Sequence, residues 1–227
     1  MFELYIANKN YSSWSLRPWL LMRELGIPFS EHLIPFPDGS SKETFLKFAP
    51  NAKVPCLHDD AQVIWDSLGI IEHLAERHQG VWPAYAVARS WARCASAEMH
   101  SGFQALRQYC TMNCGIRVAL HSKPQALQDD IKRIWTLWAE GLARFGGPYL
   151  AGDKFSAVDA MYAPVVFRMQ SYGIAPDAAV AGYVERMLAR PAMQDWYQSA
   201  LRETWREPAH EEEARQAGTW LQDLREA

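Results

Sequence analysis

The sequence predicts two structural units, an α/β domain followed by an all-helical domain, and three observations carry that prediction. Up to about Gly80 short apolar runs alternate with helix-like periodicity, whereas beyond it one helical pattern follows another. The changeover falls at Gly80-Val81-Trp82-Pro83, a local composition shift typical of a connection. At 227 residues with 49% hydrophobic composition, the chain has ample apolar side chain for the cores of two modest domains. The expected division is residues 1–80, a linker at 81–86, and residues 87–227.

Each element of the first unit has a local cause. Phe2 to Ala7 reads as a strand, and Leu16 to Leu25 as a helix, with Leu16, Trp19, Leu20 and Met22 at helical spacing. Ser15 is the expected N-cap, Pro18 is expected within the first turn where its missing N–H costs little, and Gly26-Ile27-Pro28 is a helix stop. A strand near Ser30 to Ile34 follows. The polar stretch Pro37 to Ser41 leads into a short helix near Lys42 to Phe48. Val54 to Leu57 and Gln62 to Trp65 flank His58-Asp59-Asp60-Ala61 as a hairpin, and Ser67 to Gln79 closes the unit as a helix. The order β-α-β-α-β-β-α is that of a thioredoxin-like domain, whose crossover makes the first two strands parallel.

The second unit reads as helices near Ala84 to Met112, Pro124 to Phe145, Ser156 to Tyr172, Ala179 to Ala189 and Pro191 to Leu201. Trp135 and Trp138 are expected in the core or between the domains. The tail from Glu207 to Ala227 carries no motif and is expected to pack on the helices rather than cover a pocket.

Charge and cysteine usage narrow the function. A net charge of -3 offers no basic footprint for nucleic acid, and no Lys/Arg run marks a membrane-surface patch. No apolar stretch reaches membrane-spanning length, and the N-terminus lacks the basic flank and apolar segment of a signal peptide, so a cytoplasmic protein is expected. Cys56, Cys94, Cys110 and Cys114 lack the spacing of a zinc site or a Cys-x-x-Cys redox pair, although Cys110 and Cys114 could share a helical face. All four are read as reduced and structural, and no metal is expected.

Three short motifs carry chemistry. In Lys53-Val54-Pro55-Cys56-Leu57 a proline opens a strand, where it cannot donate to the ladder. It is either an edge-strand trans proline or a cis turn; a cis turn would expose the Val54 N–H and C=O to an extended peptide running antiparallel to them. Asp66-Ser67, eleven positions after Pro55, follows a strand and opens a helix. Capping alone explains that pair. The same helix start, with its free N–H groups and the Ser67 hydroxyl, also suits a carboxylate, while Asp66 suits an α-ammonium group. Those are the two charges of a γ-glutamyl terminus.

Upstream of both lies Tyr11-Ser12-Ser13-Trp14-Ser15. One serine suffices to cap the following helix, which leaves Ser12 and Ser13 free to donate to a bound thiolate. A free thiol of pKa about 8.5 needs roughly 2.7 kcal/mol of preferential thiolate stabilisation to fall two units. A hydrogen bond to a charged group supplies about 1.5 to 3 kcal/mol and a helix terminus some tenths to about 1 more, so one serine at one helix end is enough. A small peptide held by backbone, carboxylate and thiol is expected, and glutathione fits that description.

In these motifs and beyond them, the chain resembles the cytosolic glutathione S-transferase family over essentially its whole length. The resemblance includes Val54-Pro55, Asp66-Ser67 and Tyr149 to Ala160, where Ser156 and Asp159 match a structural capping box. Ser12-Ser13-Trp14-Ser15-Leu16-Arg17 looks most like the zeta-class signature, with Trp14 standing where that signature has cysteine. The resemblance implies the glutathione S-transferase fold, glutathione as co-substrate, a homodimer, and Ser12 as the thiol-activating hydroxyl with Ser13 as second or substitute donor. It also implies backbone contacts from Val54, help from Lys53 or Lys42 at the glycine carboxylate, and an electrophile pocket between the domains. Candidates for that pocket are Trp14, Met99, Phe103, Arg107, Tyr109, Tyr162 and Val166, with core packing the competing role for each. His100 is either a core histidine or an acid-base group, and Arg17 and Arg168 are ion-pair partners or anion binders; all three are read as structural. Beside the transferase stand a glutathione-dependent isomerase or peroxidase/disulfide reductase, and a non-catalytic binding protein of the same fold.

Overall fold

A computed structural model describes residues 1–37 and 39–226. The expected polar stretch Pro37–Ser41 and the expected tail each include one residue outside that set. The first unit runs β1 (Phe2–Ile6), α1 (Ser13–Glu24), β2 (Phe29–Leu33), α2 (Lys42–Phe45), β3 (Cys56–Asp59), β4 (Gln62–Ile64) and α3 (Ser67–Ala75). Its strands form one mixed sheet in the order β2-β1-β3-β4. The α1 crossover brings β2 parallel to β1, with Phe2 opposite Phe29, while β3 runs antiparallel to β1 and β4 to β3. This is the thioredoxin-like arrangement, with Leu4, Ile6 and Leu57 buried against Leu16, Leu20, Ile70 and Ile71.

Two details of α1 differ from expectation. The helix begins three residues earlier, so Ser12 rather than Ser15 occupies the N-cap position, and Ser15 sits in the first turn. The cause is Ser15 itself: its Oγ accepts from the Ala7 N–H at 3.2 Å and from the Ser12 hydroxyl at 2.7 Å, anchoring the strand end to the first helical turn. Pro18 consequently falls in the second turn, where it deprives the Trp14 carbonyl of its helical donor. Gly26, at φ 63°, ends the helix as expected.

The second unit contains α4 (Ala86–Ser101), α5 (Gln104–Tyr109), β5 (Ile116–Leu120), α6 (Gln125–Phe145), α7 (Ala157–Ser171), α8 (Ala178–Leu188), α9 (Pro191–Arg202), α10 (Pro208–Ala217) and β6 (Gly218–Asp223). The single helix expected over Ala84 to Met112 is broken: Phe103 adopts a left-handed φ of 58° directly after Gly102. A Cβ on Gly102 would lie 2.8 Å from the Glu98 carbonyl oxygen, so the chain can pass that close only with glycine. The break buries Phe103 and re-aims α5. α7 is buried on nearly all sides and packs against α1 and α4, which makes it the central column of the helical unit and its seam with the first. Trp138 lies fully buried, edge-on to Tyr162 and Tyr183, and Trp135 packs partly buried beside the core.

The tail builds more than packing contacts. β6 pairs antiparallel with β5 as a ribbon added to the helices. Glu211 on α10 is the tail's polar anchor, accepting from Tyr11 Oη at 2.7 Å, Asn113 Nδ2 at 3.0 Å and Arg225 Nη1 at 2.5 Å. No helix among the described residues is long and apolar enough to cross a membrane.

Candidate functional site

A cavity of about 300 Å³ opens where the start of α1 meets the Val54 turn and α5, α7 and α10 of the helical unit. Ser12, Ser13, Trp14, Lys53, Val54 and Arg107 from the sequence reading all line it. A larger cleft of about 1000 Å³ around the linker and the end of α6 holds none of the expected site residues.

The serine end of α1 is left partly free. Ser12 stands at the N-cap yet makes no side-chain capping bond, and its hydroxyl donates to Ser15 Oγ. Ser15 keeps its own proton while accepting from Ala7 N–H, so rotation of the two hydroxyls lets Ser15 donate to Ser12 and releases the Ser12 proton to the cavity. Ser13, 6% exposed, has no such partner among the described residues and lines the cavity directly. An anion placed here meets hydroxyl donors and the positive end of a 12-residue helix together.

The Val54–Pro55 peptide is cis. Val54 lines the cavity, Pro55 is buried behind it, and the exposed Lys53 stands at the rim. Lys42 is exposed and lies outside the lining, which Ser41 and Phe45 of that segment join instead.

Asp66 and Ser67 also fall outside the lining. Asp66 caps α3 through the Leu68 N–H at 3.0 Å, and its other oxygen lies 3.3 Å from His100 Nε2. The His100 ring is edge-on to Trp14 at 5.2 Å, so the α3 terminus touches the cavity wall through two side chains. His100 is thus a bridge between the two units. The Ser67 hydroxyl is buried and makes no hydrogen bond.

Among the expected electrophile-pocket residues the structure divides the set. Trp14 and Arg107 line the cavity, whereas Met99, Phe103 and Tyr162 are buried outside it. Tyr162 donates to the Ala95 carbonyl at 3.0 Å, and burial raises its hydroxyl well above the ordinary tyrosine value. Val166 is also fully buried.

Sequence reasoning missed Phe36, Thr111, His210 and Glu213 in the lining, and Arg168, read there as structural, lines it too. Arg168 is on α7, and its Nε donates to the Cys110 carbonyl at 2.7 Å. Burial, then neighbouring Arg107, pushes it down to about 10. Arg17, fully buried beneath Trp14, is pushed down by burial and then by Arg107 and Arg168. His210 and Glu213 reach the site from α10, and His210 Nδ1 is held by Glu207 at 2.6 Å. No local signal marks these two, since they come from the far end of the chain.

No cysteine lines the cavity. Burial pushes Cys56 up to about 11 and Cys110 up to about 12, and raises Cys114 further, which makes these three poor thiolates. Cys94 is exposed on α4, and the helical face suggested for Cys110 and Cys114 does not form, since both follow the end of α5. Among the described residues no cluster of three His, Cys, Asp or Glu could hold a metal ion.

Comparison with known proteins agrees with this architecture in both halves. Residues 11–77 match the family model described as glutathione S-transferase, N-terminal domain, and residues 124–222 match glutathione S-transferase, C-terminal domain. The glutathione S-transferase-like protein OpS6 of Beauveria bassiana is 28% identical over 173 residues, covering 71% of this chain and 76% of that protein. A probable maleylacetoacetate isomerase of Caenorhabditis elegans is 26% identical over 180 residues, covering 75% and 80%. A Burkholderia glutathione transferase homologue, solved with bound glutathione, superposes with a TM-score of 0.64 at 22% identity, over 88% of this chain and 97% of that one. With matched models in both units and the mixed-sheet-plus-helices architecture between them, the chain belongs to the glutathione S-transferase family.

Proposed function

We propose that this protein is a glutathione transferase that holds glutathione along the Val54 turn, stabilises its thiol as thiolate at the start of α1, and directs it at a small electrophile in the cavity. The observation that carries this reading is the meeting of Ser12 and Ser13, at a helix N-terminus, with Val54 and Lys53 on one cavity. A thiol placed there gains a hydroxyl donor and a helix end, and is oriented against a partner molecule in a confined space. Ser12 or Ser13 donates to the sulfur, Val54 pairs with the peptide backbone, Lys53 or Lys42 meets the glycine carboxylate, and Asp66 and Ser67 meet the γ-glutamyl charges. Bound glutathione in the Burkholderia structure supports the ligand.

The division of labour is residues 1–80 for glutathione and 87–227 for the electrophile, joined by 81–86, in a cytoplasmic homodimer with a detoxifying role. The same thiolate also serves an isomerase, which the resemblance to the Caenorhabditis elegans protein favours as the second reading. A reductase that forms a mixed disulfide with its own cysteine is disfavoured by the absence of cysteine from the lining.

The test is the pH dependence of the glutathione thiolate absorbance in wild type and in Ser12→Ala. The expected result is an apparent thiol pKa about two units below that of free glutathione, about 2.7 kcal/mol of preferential stabilisation, returning toward the free value in the variant. Binding of glutathione with an unshifted thiol in both proteins would mean a binding protein rather than an enzyme.

A further inference from the structure

One wall of the cavity is basic, although one serine at one helix end already suffices to hold a thiolate. Arg107 on α5 and Arg168 on α7 both line it. Arg17 lies behind Trp14, its Cζ 4.0 Å from the ring centroid, and the Arg107 Cζ is 4.8 Å from the same ring. Arg168 is 4% exposed and Arg17 wholly buried. Among the described residues none of the three has a carboxylate at ion-pairing distance, in contrast to Arg225, which is held by Glu211 at 2.5 Å and Asp223 at 2.6 Å. Arg107 donates to the carbonyls of Gly102 and Met99, and Arg168 Nε to that of Cys110. Arg168 Nη1 and all three nitrogens of Arg17 are buried with no hydrogen-bond partner among the described residues.

A buried guanidinium without a counter-charge is strongly disfavoured, and neighbouring cations aggravate it. The nearby acids are otherwise engaged or peripheral: Asp66 is held by Leu68 and His100, Asp130 accepts from the Leu106 N–H at 2.9 Å, and Glu213 is exposed at the mouth. An anion in the cavity would meet the positive charge of both Arg107 and Arg168 and could take the Arg168 Nη1 donor that the carbonyls leave over.

We propose that Arg107 and Arg168 form an anion subsite, so that the second substrate is a small electrophile bearing a carboxylate or sulfonate. That charge is gripped on the α5–α7 wall while Ser12 and Ser13 hold the sulfur opposite. Arg17 acts as a positioning residue, fixing Trp14 and adding positive potential from behind it. The inference rests on the transferase reading in one respect, that the anion belongs to the electrophile and not to glutathione.

Calorimetric titrations of the full chain with benzoate and with neutral benzamide, with and without saturating glutathione, test it. Benzoate is expected to bind roughly tenfold tighter than benzamide, about 1.4 kcal/mol, under both conditions. In Arg107→Gln that ratio falls toward one. Arg168→Gln should do the same, but this residue is buried; if that variant does not fold, the half-buried Arg107 carries the comparison. Equal binding of acid and amide overturns the subsite. Displacement of benzoate by glutathione also overturns it, because the arginines would then serve the peptide's own carboxylate. Turnover of chlorodinitrobenzoate against its methyl ester separates the two claims. Absence of turnover with the benzoate preference intact sinks the transferase reading alone, whereas glutathione activation with no acid preference sinks the subsite alone.

Discussion

Two buried helix N-termini in this protein are built from similar residues and finished in opposite ways. At α7, Ser156 and Asp159 close a reciprocal capping box. Asp159 also accepts from the Leu150 N–H at 3.0 Å, so one carboxylate is both the box partner and the buried anchor of the preceding loop. At α1, the Ser12 hydroxyl donates to Ser15 and accepts from no helical N–H, and among the described residues Ser13 has no side-chain hydrogen bond and the arginines nearby have no carboxylate at ion-pairing distance. A saturated terminus has nothing left to offer a ligand. An unsaturated one, beside a cavity, has donors and a dipole in reserve. The contrast separates a serine closed into a capping box from serines with a donor to spare more sharply than their sequence context does.

The largest effect expected from this comparison is at the saturated end. Asp159→Ala strips acceptors from the N–H groups of Leu150 and Ser156 in a fully buried setting, and should cost about 3 to 5 kcal/mol by chemical denaturation. The same carboxyl gives a pH signature. Burial, outweighing the two N–H bonds that pull the other way, pushes Asp159 up from 3.8 to about 6. The folded state therefore keeps a proton that the unfolded chain loses earlier. The stabilising contribution is complete below about pH 4 and declines as pH rises to about 6, by about 3 kcal/mol for a shift of about two units. The stability of wild type relative to Asp159→Asn, which cannot titrate, should shrink across that window. A difference independent of pH would show that the N–H donors, not burial, set the state of this carboxyl.

At the unsaturated end the expected loss is in rate. Ser12→Ala should lower turnover roughly a hundredfold, about 2.7 kcal/mol, with little change in glutathione affinity. Ser13→Ala should cost less if Ser12 donates the hydrogen bond to the sulfur while Ser15 donates to Ser12 behind it. The reverse order, measured by steady-state kinetics on one electrophile, would give the role to Ser13, whose hydroxyl is already free.

Most elements were legible because their causes are local. Gly26-Ile27-Pro28 stops a helix, Ser156 and Asp159 start one, and alternating apolar residues around His58 to Ala61 make a hairpin, whatever the rest of the chain does. What escaped was set by distant partners. Phe103 takes a left-handed conformation that no local preference predicts, and the resulting break sends Arg107 to the cavity while Met99 stays in the core. Ile116–Leu120 becomes a strand only because Gly218–Asp223 returns to pair with it. His210 and Glu213 arrive at the cavity from that same tail. Arg168 reads as one more charge on a helix until α7 is seen to be buried nearly all round.

Ser67 tests whether the contrast extends to a third terminus. At α3 the cap is shared unevenly: Asp66 satisfies the Leu68 N–H, while the Ser67 hydroxyl is fully buried and bonded to nothing. An unmade bond contributes nothing to stability, and removing its donor relieves the cost of burying it. Ser67→Ala should therefore leave stability unchanged or raise it by up to about 1 kcal/mol. If that hydroxyl is kept for the γ-glutamyl carboxylate, the same substitution should weaken glutathione binding roughly fivefold, about 1 kcal/mol, by calorimetry. Lower stability with unchanged affinity would instead put Ser67 with Ser156 among the residues that only build the helix.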